Sequence, residues 1–411
     1  MARQMKLEPL AFFPMAMLGT AALVAQAVAP VIPGQAMLTK GNNSFAIELY
    51  RQLRQEPGNL FFSPASISNA FGMAYAGARG KTATEMAQTL HFTLPPNELH
   101  PAMGKLLAQM NEKNPNYQLS VADALWAEQN EKVLSSYLNL TRTDYGAAFF
   151  SVDFEKHPDK ARYAINDWVA QRTQNKILNL LGPGTVTADT RLILTNAIYF
   201  KGTWAAQFDK SQTRDEDFYL TASQTAQAPL MHLSGGFRYF NGGSFQALEI
   251  PYKGDKLSMI VVLPNALDGL AALESQLTDG QLDAWLAKLS YTRKVNLALP
   301  RFTLTQQFTL NQTLGAMGMH AAFTPTAADF SGITGNRSLW ISEVIHKAFA
   351  AVDEQGTEAA AATAIGMRAL AMMPDTSPPI EFRADHPFLF LIRDTKSGSI
   401  LFMGRLSDPA K

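Results

Sequence analysis

Phe382-Arg383-Ala384-Asp385-His386-Pro387-Phe388-Leu389-Phe390-Leu391-Ile392 leads into the last strands of a 411-residue chain. From Pro387 to Arg393 the residues are almost all apolar, and a second such run, Ser399 to Arg405, follows the turn Lys396-Ser397-Gly398. Two short apolar runs around a Gly-containing turn read as a β-hairpin. Upstream, Val344-Ile345-His346-Lys347-Ala348-Phe349-Ala350-Ala351-Val352 reads as another strand. It runs into Glu354-Gln355-Gly356-Thr357-Glu358 and then Ala359-Ala360-Ala361-Ala362-Thr363, followed by loop-like sequence up to Phe382. Small residues there bury little and hold no ligand, but they let a segment change conformation at low cost. A cleavable segment tied to a sheet suggests a function that consists of moving it.

Working further outward, Val295 to Thr305 reads as a strand carrying Arg301, and Arg191 to Phe200 as a nearly continuous apolar strand. Leu248 to Tyr252 and Ser258 to Pro264 flank the turn Lys253-Gly254-Asp255 as a hairpin, and Leu119 to Glu128 alternates. Helices are expected over Asn43 to Leu53, over Asn166 to Leu181, and from Pro64 to about Ala78 with Ser63 as its cap. The helix after Ser63 is apolar almost all round and should be buried. Helices dominate the first half and strands the second, with no alternating unit, so the class is α+β. Residues 28–42 read as a linker and 43–411 as one domain.

The chain is 47% apolar and 10% aromatic, enough for a substantial core. Lys+Arg and Asp+Glu both number 35, which removes the electrostatic case for nucleic acid as a partner. Arg3 and Lys6 precede an apolar stretch from Leu10 to Ala29, the pattern of an export signal cut after Ala27; an uncleaved anchor is the alternative. A secreted or periplasmic protein is therefore expected. There are no cysteines, so disulfides and thiolate chemistry are absent, which fits a bacterial envelope or secreted protein.

In order and spacing, these motifs resemble the serpin family over Asn43 to Asp408, and a bacterial-type inhibitory member is expected. The most specific match is the stretch Phe382 to Ile392. Asn59-Leu60-Phe61-Phe62-Ser63-Pro64 with Ser66-Ile67-Ser68, Thr195-Asn196-Ala197-Ile198-Tyr199-Phe200-Lys201-Gly202-Thr203-Trp204, and His346-Lys347-Ala348 add to it. The resemblance implies three β-sheets, about nine helices and an exposed reactive-centre loop, with hinge and loop over 354–381. It implies a monomeric inhibitor, not an enzyme and without a cofactor. A target serine or cysteine protease cuts the loop, which then inserts into the central sheet with the protease still covalently attached.

The hinge residues Glu354, Gly356, Thr357, Glu358, Ala359, Ala360, Ala361 and Ala362 suit that step. In an extended strand, Thr357, Ala359, Ala361, Thr363 and Ile365 share one small or apolar face. Counting from Glu354 as the family does leads to Leu370–Ala371 as the reactive bond, with Arg368 as the alternative. Leu370 suits a chymotrypsin-, elastase- or subtilisin-like pocket, and Arg368 a trypsin-like one. By resemblance, Ser63, Ser66, Asn196 and His346 lie where the central sheet opens, and His346 reads as a core imidazole bonded to a hydroxyl or amide. Arg301 and Glu354 should meet above Trp204, as a surface pair worth about 0–1 kcal/mol. Asn97 to Tyr117 carries only Lys105 and Lys113 against Glu98 and Glu112, so no polyanion site is expected. His91, His100, His157, His232, His320, His346 and His386 show no metal spacing, and no Gly-x-Ser-x-Gly elbow occurs. The rival function is a non-inhibitory serpin acting as carrier, storage protein or chaperone.

Overall fold

The computed structural model describes residues 33–146, 148–357 and 378–411. Its first half holds α1 (Pro33–Leu53), β1 (Leu60–Phe62), α2 (Pro64–Gly77), α3 (Gly80–Thr89), α4 (Pro96–Met110), β2 (Tyr117–Glu128), α5 (Ser135–Tyr145), β3 (Phe149–Val152) and α6 (Pro158–Arg172). Strands then take over: β4 (Leu192–Thr203), β5 (Arg214–Thr221), β6 (Gln224–Asn241), β7 (Phe245–Pro251) and β8 (Leu257–Pro264). After α7 (Leu270–Ser275) and α8 (Asp279–Ala287) come β9 (Ser290–Pro300), β10 (Phe302–Thr309), α9 (Asn311–Ala316) and α10 (Ser331–Thr334). The chain ends with β11 (Ile341–Asp353), β12 (Gly356–Thr357), β13 (Ile380–Arg383), β14 (Phe388–Asp394) and β15 (Ile400–Leu406).

The three sheets that the resemblance implied are present, two of them joined through β6. The central one runs β3-β2-β4-β11-β10, with the short β12 wedged between β4 and β11. A second runs β1-β15-β14-β8-β7 and ends on the last residues of β6, Arg238–Asn241. The third is built on β6, which pairs with β5 and, from Leu230 to Tyr239, with β9, and β9 carries β13, so the second and third are hydrogen-bonded into one continuous sheet through β6. His386 in the C-terminal signature contacts the carboxylate of Asp385 at 2.9 Å and the carbonyl of Pro264 at 2.7 Å, pinning the entry of β14 to the end of β8.

The core between the first two sheets is filled by α2, where only Tyr75 and Ala76 are not buried. Ser63 caps this helix, accepting from the Ser66 amide at 3.3 Å, and Pro64 supplies the first turn. Phe61 stacks on Phe402 at 5.1 Å, and Phe402 meets Phe200 at 5.6 Å, so aromatic rings bridge the two sheets beside α2. β11 alternates: Val344, Ala348, Ala350 and Val352 join this main core, whereas Ile345 and Phe349 pack with α6 on the other face.

Three boundaries differ from the sequence reading. Residues 33–42 are not a linker but the first half of α1, in which Leu38 and Asn42 are buried. Gly34, Gly41, Asn42 and Asn43 are weak helix formers, and tertiary packing overrides them. A Cβ on Gly41 would lie 2.4 Å from the His91 carbonyl oxygen, so glycine is what lets α1 approach that turn. The helix expected over Asn166 to Leu181 is instead α6, Pro158–Arg172. Gln174, Asn175 and Asn179 take positive φ (53°, 59° and 51°), and the apolar Ile177, Leu180 and Leu181 reach the core from turns. Val295 to Thr305 is two strands, because the chain changes sheets at Arg301, whose amide donates to the Pro229 carbonyl at 2.8 Å.

Gly41→Ala should destabilise the protein by roughly 1–3 kcal/mol through overpacking, although alanine is the better helix former. Urea unfolding checks this, with Gly280→Ala, whose Cβ would meet nothing within 4 Å, as the neutral or stabilising control.

Candidate functional site: a seam in the central sheet

β4 and β11 are parallel neighbours, paired from Leu192 and Ile341 up to Phe200 and Ala350. Above that point they part, and the chain leaving β11 turns at Glu354-Gln355 and comes back between them. Gly356 lies opposite Asp353 on one side and Thr203 on the other, and Thr357 opposite Val352 and Gly202. Both pairings are antiparallel. A Cβ at Gly356 would lie 1.9 Å from the Gly202 carbonyl oxygen, and its φ is +151°, so this close approach admits only glycine.

The turn is bound on every side. The Asp353 carboxylate accepts from the amides of Gln355 at 2.8 Å and Gly356 at 3.1 Å. Burial raises the Asp353 carboxyl above its ordinary range, and those two amides partly offset the shift. The Trp204 indole donates to the Asp353 carbonyl at 2.9 Å, and its backbone amide to the Gln355 carbonyl at 2.9 Å. That indole stacks on Tyr252 with ring centroids 4.5 Å apart. Glu354 accepts from the Thr213 hydroxyl at 2.8 Å and lies 3.6 Å from an Arg301 nitrogen. The Glu354 side chain is 3% exposed and that of Arg301 52%, so the pair is no simple surface pair. Its carboxylate is buried and hydrogen-bonded, and Arg301 covers it from outside.

Halfway down, the seam crosses a buried polar cluster. His346 and Asn196 are opposite each other across it. The Ser63 amide donates to His346 Nε2 at 3.1 Å, so Nδ1 carries the ring proton and donates to Asn196 Oδ1. That orientation turns Asn196 Nδ2 to Ser66 Oγ at 2.6 Å and to Asp123 Oδ1. Ser66 Oγ donates to the same carboxyl oxygen at 3.0 Å, and Ser63 Oγ to the Leu401 carbonyl at 2.6 Å. Burial lowers the His346 imidazole to about 3. Burial pushes the Asp123 carboxyl up to about 8, against hydrogen bonds from Ser66, Asn69 and Asn196 that pull it down.

The structure therefore brings Ser63, Ser66, Asn196 and His346 into one cluster, and Trp204, Arg301, Glu354, Gly356 and Thr357 into another at the top of the same seam. Glu358, Ala359, Ala360, Ala361, Ala362, Arg368, Leu370 and Ala371 lie outside the described residues. Sequence reasoning missed Asp123, Asn69, Thr213 and Asp353. An acidic residue between Ala122 and Ala124, on a strand whose partner puts Asn196 opposite it, was the available signal for Asp123.

A family model described as Serpin (serine protease inhibitor) matches residues 40–409. The leukocyte elastase inhibitor of Homo sapiens is 40% identical over 382 residues, covering 90% of this chain and 99% of that one. Iris of Ixodes ricinus is 40% identical over 381 residues, covering 91% and 100%. Among solved structures, uncleaved ovalbumin aligns with a TM-score of 0.82 at 29% identity, over 90% of this chain and 100% of its own. Human thyroxine-binding globulin complexed with thyroxine aligns at 0.83 with 30% identity, over 92% and 99%.

These relatives correct the expectation of a secreted or periplasmic protein cut after Ala27. Leukocyte elastase inhibitors of Homo sapiens, Equus caballus and Rattus norvegicus are matched over 99% of their length, while the family match begins at residue 40, beyond the apolar stretch Leu10 to Ala29. Two cations before a run of small apolar residues is too general a pattern to stand against them, and export is withdrawn. The relatives are animal proteins, so the bacterial type gains no support from them.

Gly356→Ala should expel β12 while leaving the rest of the sheet paired. Hydrogen exchange at the amides of residues 356 and 357 should accelerate at least about tenfold, with global stability changed by no more than about 1 kcal/mol.

Proposed function

Because the chain belongs to the serpin family, we propose that it inhibits a serine protease by letting its cut loop continue β12 down the seam between β4 and β11. The seating of β12 between those strands is the observation that carries this reading. Extended one residue at a time, its register brings Glu358 opposite Lys201 and Ala351, and Thr363 opposite Asn196 and His346. Ala359 falls opposite Phe200 and Ala350, and Ala361 opposite Ile198 and Ala348, which all belong to the main core. Alanine and threonine are what that face can accept beside those side chains. Glu358 falls on the other face, where Lys201 offers it a cation.

The same register takes Met367 to the level of Leu192, where β4 begins. Arg368, Ala369 and Leu370 would then clear the far end of the sheet. From Gly356 to Leu370 is about fourteen residues, roughly 46 Å at ~3.3 Å each. A protease held as an ester at Leu370 would be carried across the molecule. Insertion replaces one parallel ladder by two antiparallel ones, a gain on the order of ten backbone hydrogen bonds at roughly 1 kcal/mol each. Leu370 and the elastase-inhibitor relatives together point to an elastase-like target, with chymotrypsin- and subtilisin-like enzymes in the same apolar class. Arg368 would serve a trypsin-like one. The likeness to a thyroxine-bound structure favours a second reading, a carrier that does not inhibit.

Incubation with elastase, chymotrypsin, subtilisin and trypsin distinguishes these readings. The expected result is a detergent-stable complex with an apolar-specific protease and a released peptide beginning at Ala371. Thr357→Arg should be cut at the same bond without forming the complex, because a cation would have to enter the sheet. Cleavage of the wild type without a complex, and without a rise in thermal stability, would establish the carrier reading instead.

A further inference from the structure

We propose that Asp123 is a neutral carboxylic acid at physiological pH, and that its ionisation loosens the closure of β4 on β11. The proposal rests on reading that seam as the one that parts, but the proton itself can be read without any protease. The hydrogen bonds fix it step by step. The Ser63 amide can only donate, so His346 is a neutral ring with its proton on Nδ1. Asn196 must accept there and donate onward, so Asp123 Oδ1 receives both the Asn196 amide and the Ser66 hydroxyl. Asp123 Oδ2 has only Asn69 Nδ2, at 3.5 Å, a distance at the limit of a hydrogen bond. Asn69 Oδ1 meanwhile is buried with no partner. A proton on Asp123 Oδ2 and a half-turn of the Asn69 amide would let the Asp hydroxyl donate to Asn69 Oδ1, giving that buried oxygen the partner it lacks.

Among the described residues, no cation compensates a charge at this position. α2 faces Asp123 with Ser66 and Asn69, β4 with Asn196, and β11 reaches it only through neutral His346. α6 packs against the opposite face of β2, at Ala122, Ala124 and Trp126. The titratable group buried in α4, His100, is bonded to Tyr145 instead. An ionised Asp123 would be an uncompensated buried charge, and separating the strands to admit water would relieve it.

Proton counting gives the sign. The ordinary values are 3.8 for Asp123 and 6.5 for His346. Between about 4 and 6.5 the folded pair holds one proton, on Asp123, and the unfolded pair also holds one, on His346, so the pair adds no pH dependence. From about 6.5 to 8 the unfolded pair holds none while the folded pair keeps one, and stability falls as pH rises.

Urea unfolding of the full chain and of Asp123→Asn, followed from pH 5 to 9, tests this. The ratio of the wild-type unfolding constant to that of the variant should rise about tenfold per pH unit, hence about a hundredfold from pH 6 to 8, and then level. A ratio that stays constant from pH 6 to 8 would overturn the proposal. If the variant does not fold, infrared spectra of the wild type still decide. A carbonyl stretch of a buried protonated carboxyl at pH 7 that disappears by pH 9 is expected, and its absence at pH 7 would overturn the assignment.

Discussion

β4 and β11 run parallel with their backbones paired from Leu192 and Ile341 up to Phe200 and Ala350, and apart from β12 this pairing is what joins the two halves of the central sheet. Everything on one side of it, β2 and β3 with α6 lying across them, connects to β10 and β11 within the sheet only through that seam. Parallel pairing is slightly weaker per residue than antiparallel pairing. The weaker kind of ladder therefore sits at the one place where the architecture gives a returning chain room to enter. At the top that entry has begun, guided by Gly356, Asp353 and Trp204.

The seam is closed by different physics at its two described stations. At the hinge the side chains of Asp353 and Trp204 bond the backbone groups of a tight turn, with Glu354 sealed under Arg301. In the middle the closure depends on side chains buried deep beneath the sheet, and on α2, whose cap Ser63 also orients His346. A helix start and a strand junction thus share one set of hydrogen bonds. Buried polar groups of this kind are costly when any partner is lost, which makes the middle of the seam the sensitive point.

The fold could be read from the sequence wherever a local pattern met no competing signal. The apolar runs of β4, β8 and β14 and the cap at Ser63 were legible because propensity, period and turn residues agreed. The first half of α1 was not, because Gly34, Gly41 and the two asparagines argue locally for a linker and only contact with the His91 turn explains them. α6 was misplaced because Ile177, Leu180 and Leu181 continue a helical spacing through residues of positive φ. At the site, residues on recognisable motifs were found, while Asp123 was passed over. The alternation of its strand sets it on the apolar face with Leu119, Val121, Leu125 and Ala127, and the polar partner that lets a carboxyl sit there, Asn196, comes from the register of a distant strand. Thr213 and Asp353 lie in no motif, and their roles come from how the turn packs.

The register at β12 carries a further consequence for how this chain can vary. In a strand, a shift by one residue exchanges its two faces. If the cut loop continues β12 as proposed, a single residue inserted between Thr357 and Glu358 would put Glu358 opposite Phe200 and Ala350, on the face of the main core. On that reading the spacing of Glu358 from β12 is fixed, while exchange among the small residues that follow it is tolerated. On the same reading, residues beyond Met367 would lie past the level of Leu192, where β4 begins, and meet no register there. The proposed register therefore sets no length for the proline-containing run from Ala371 to Ile380.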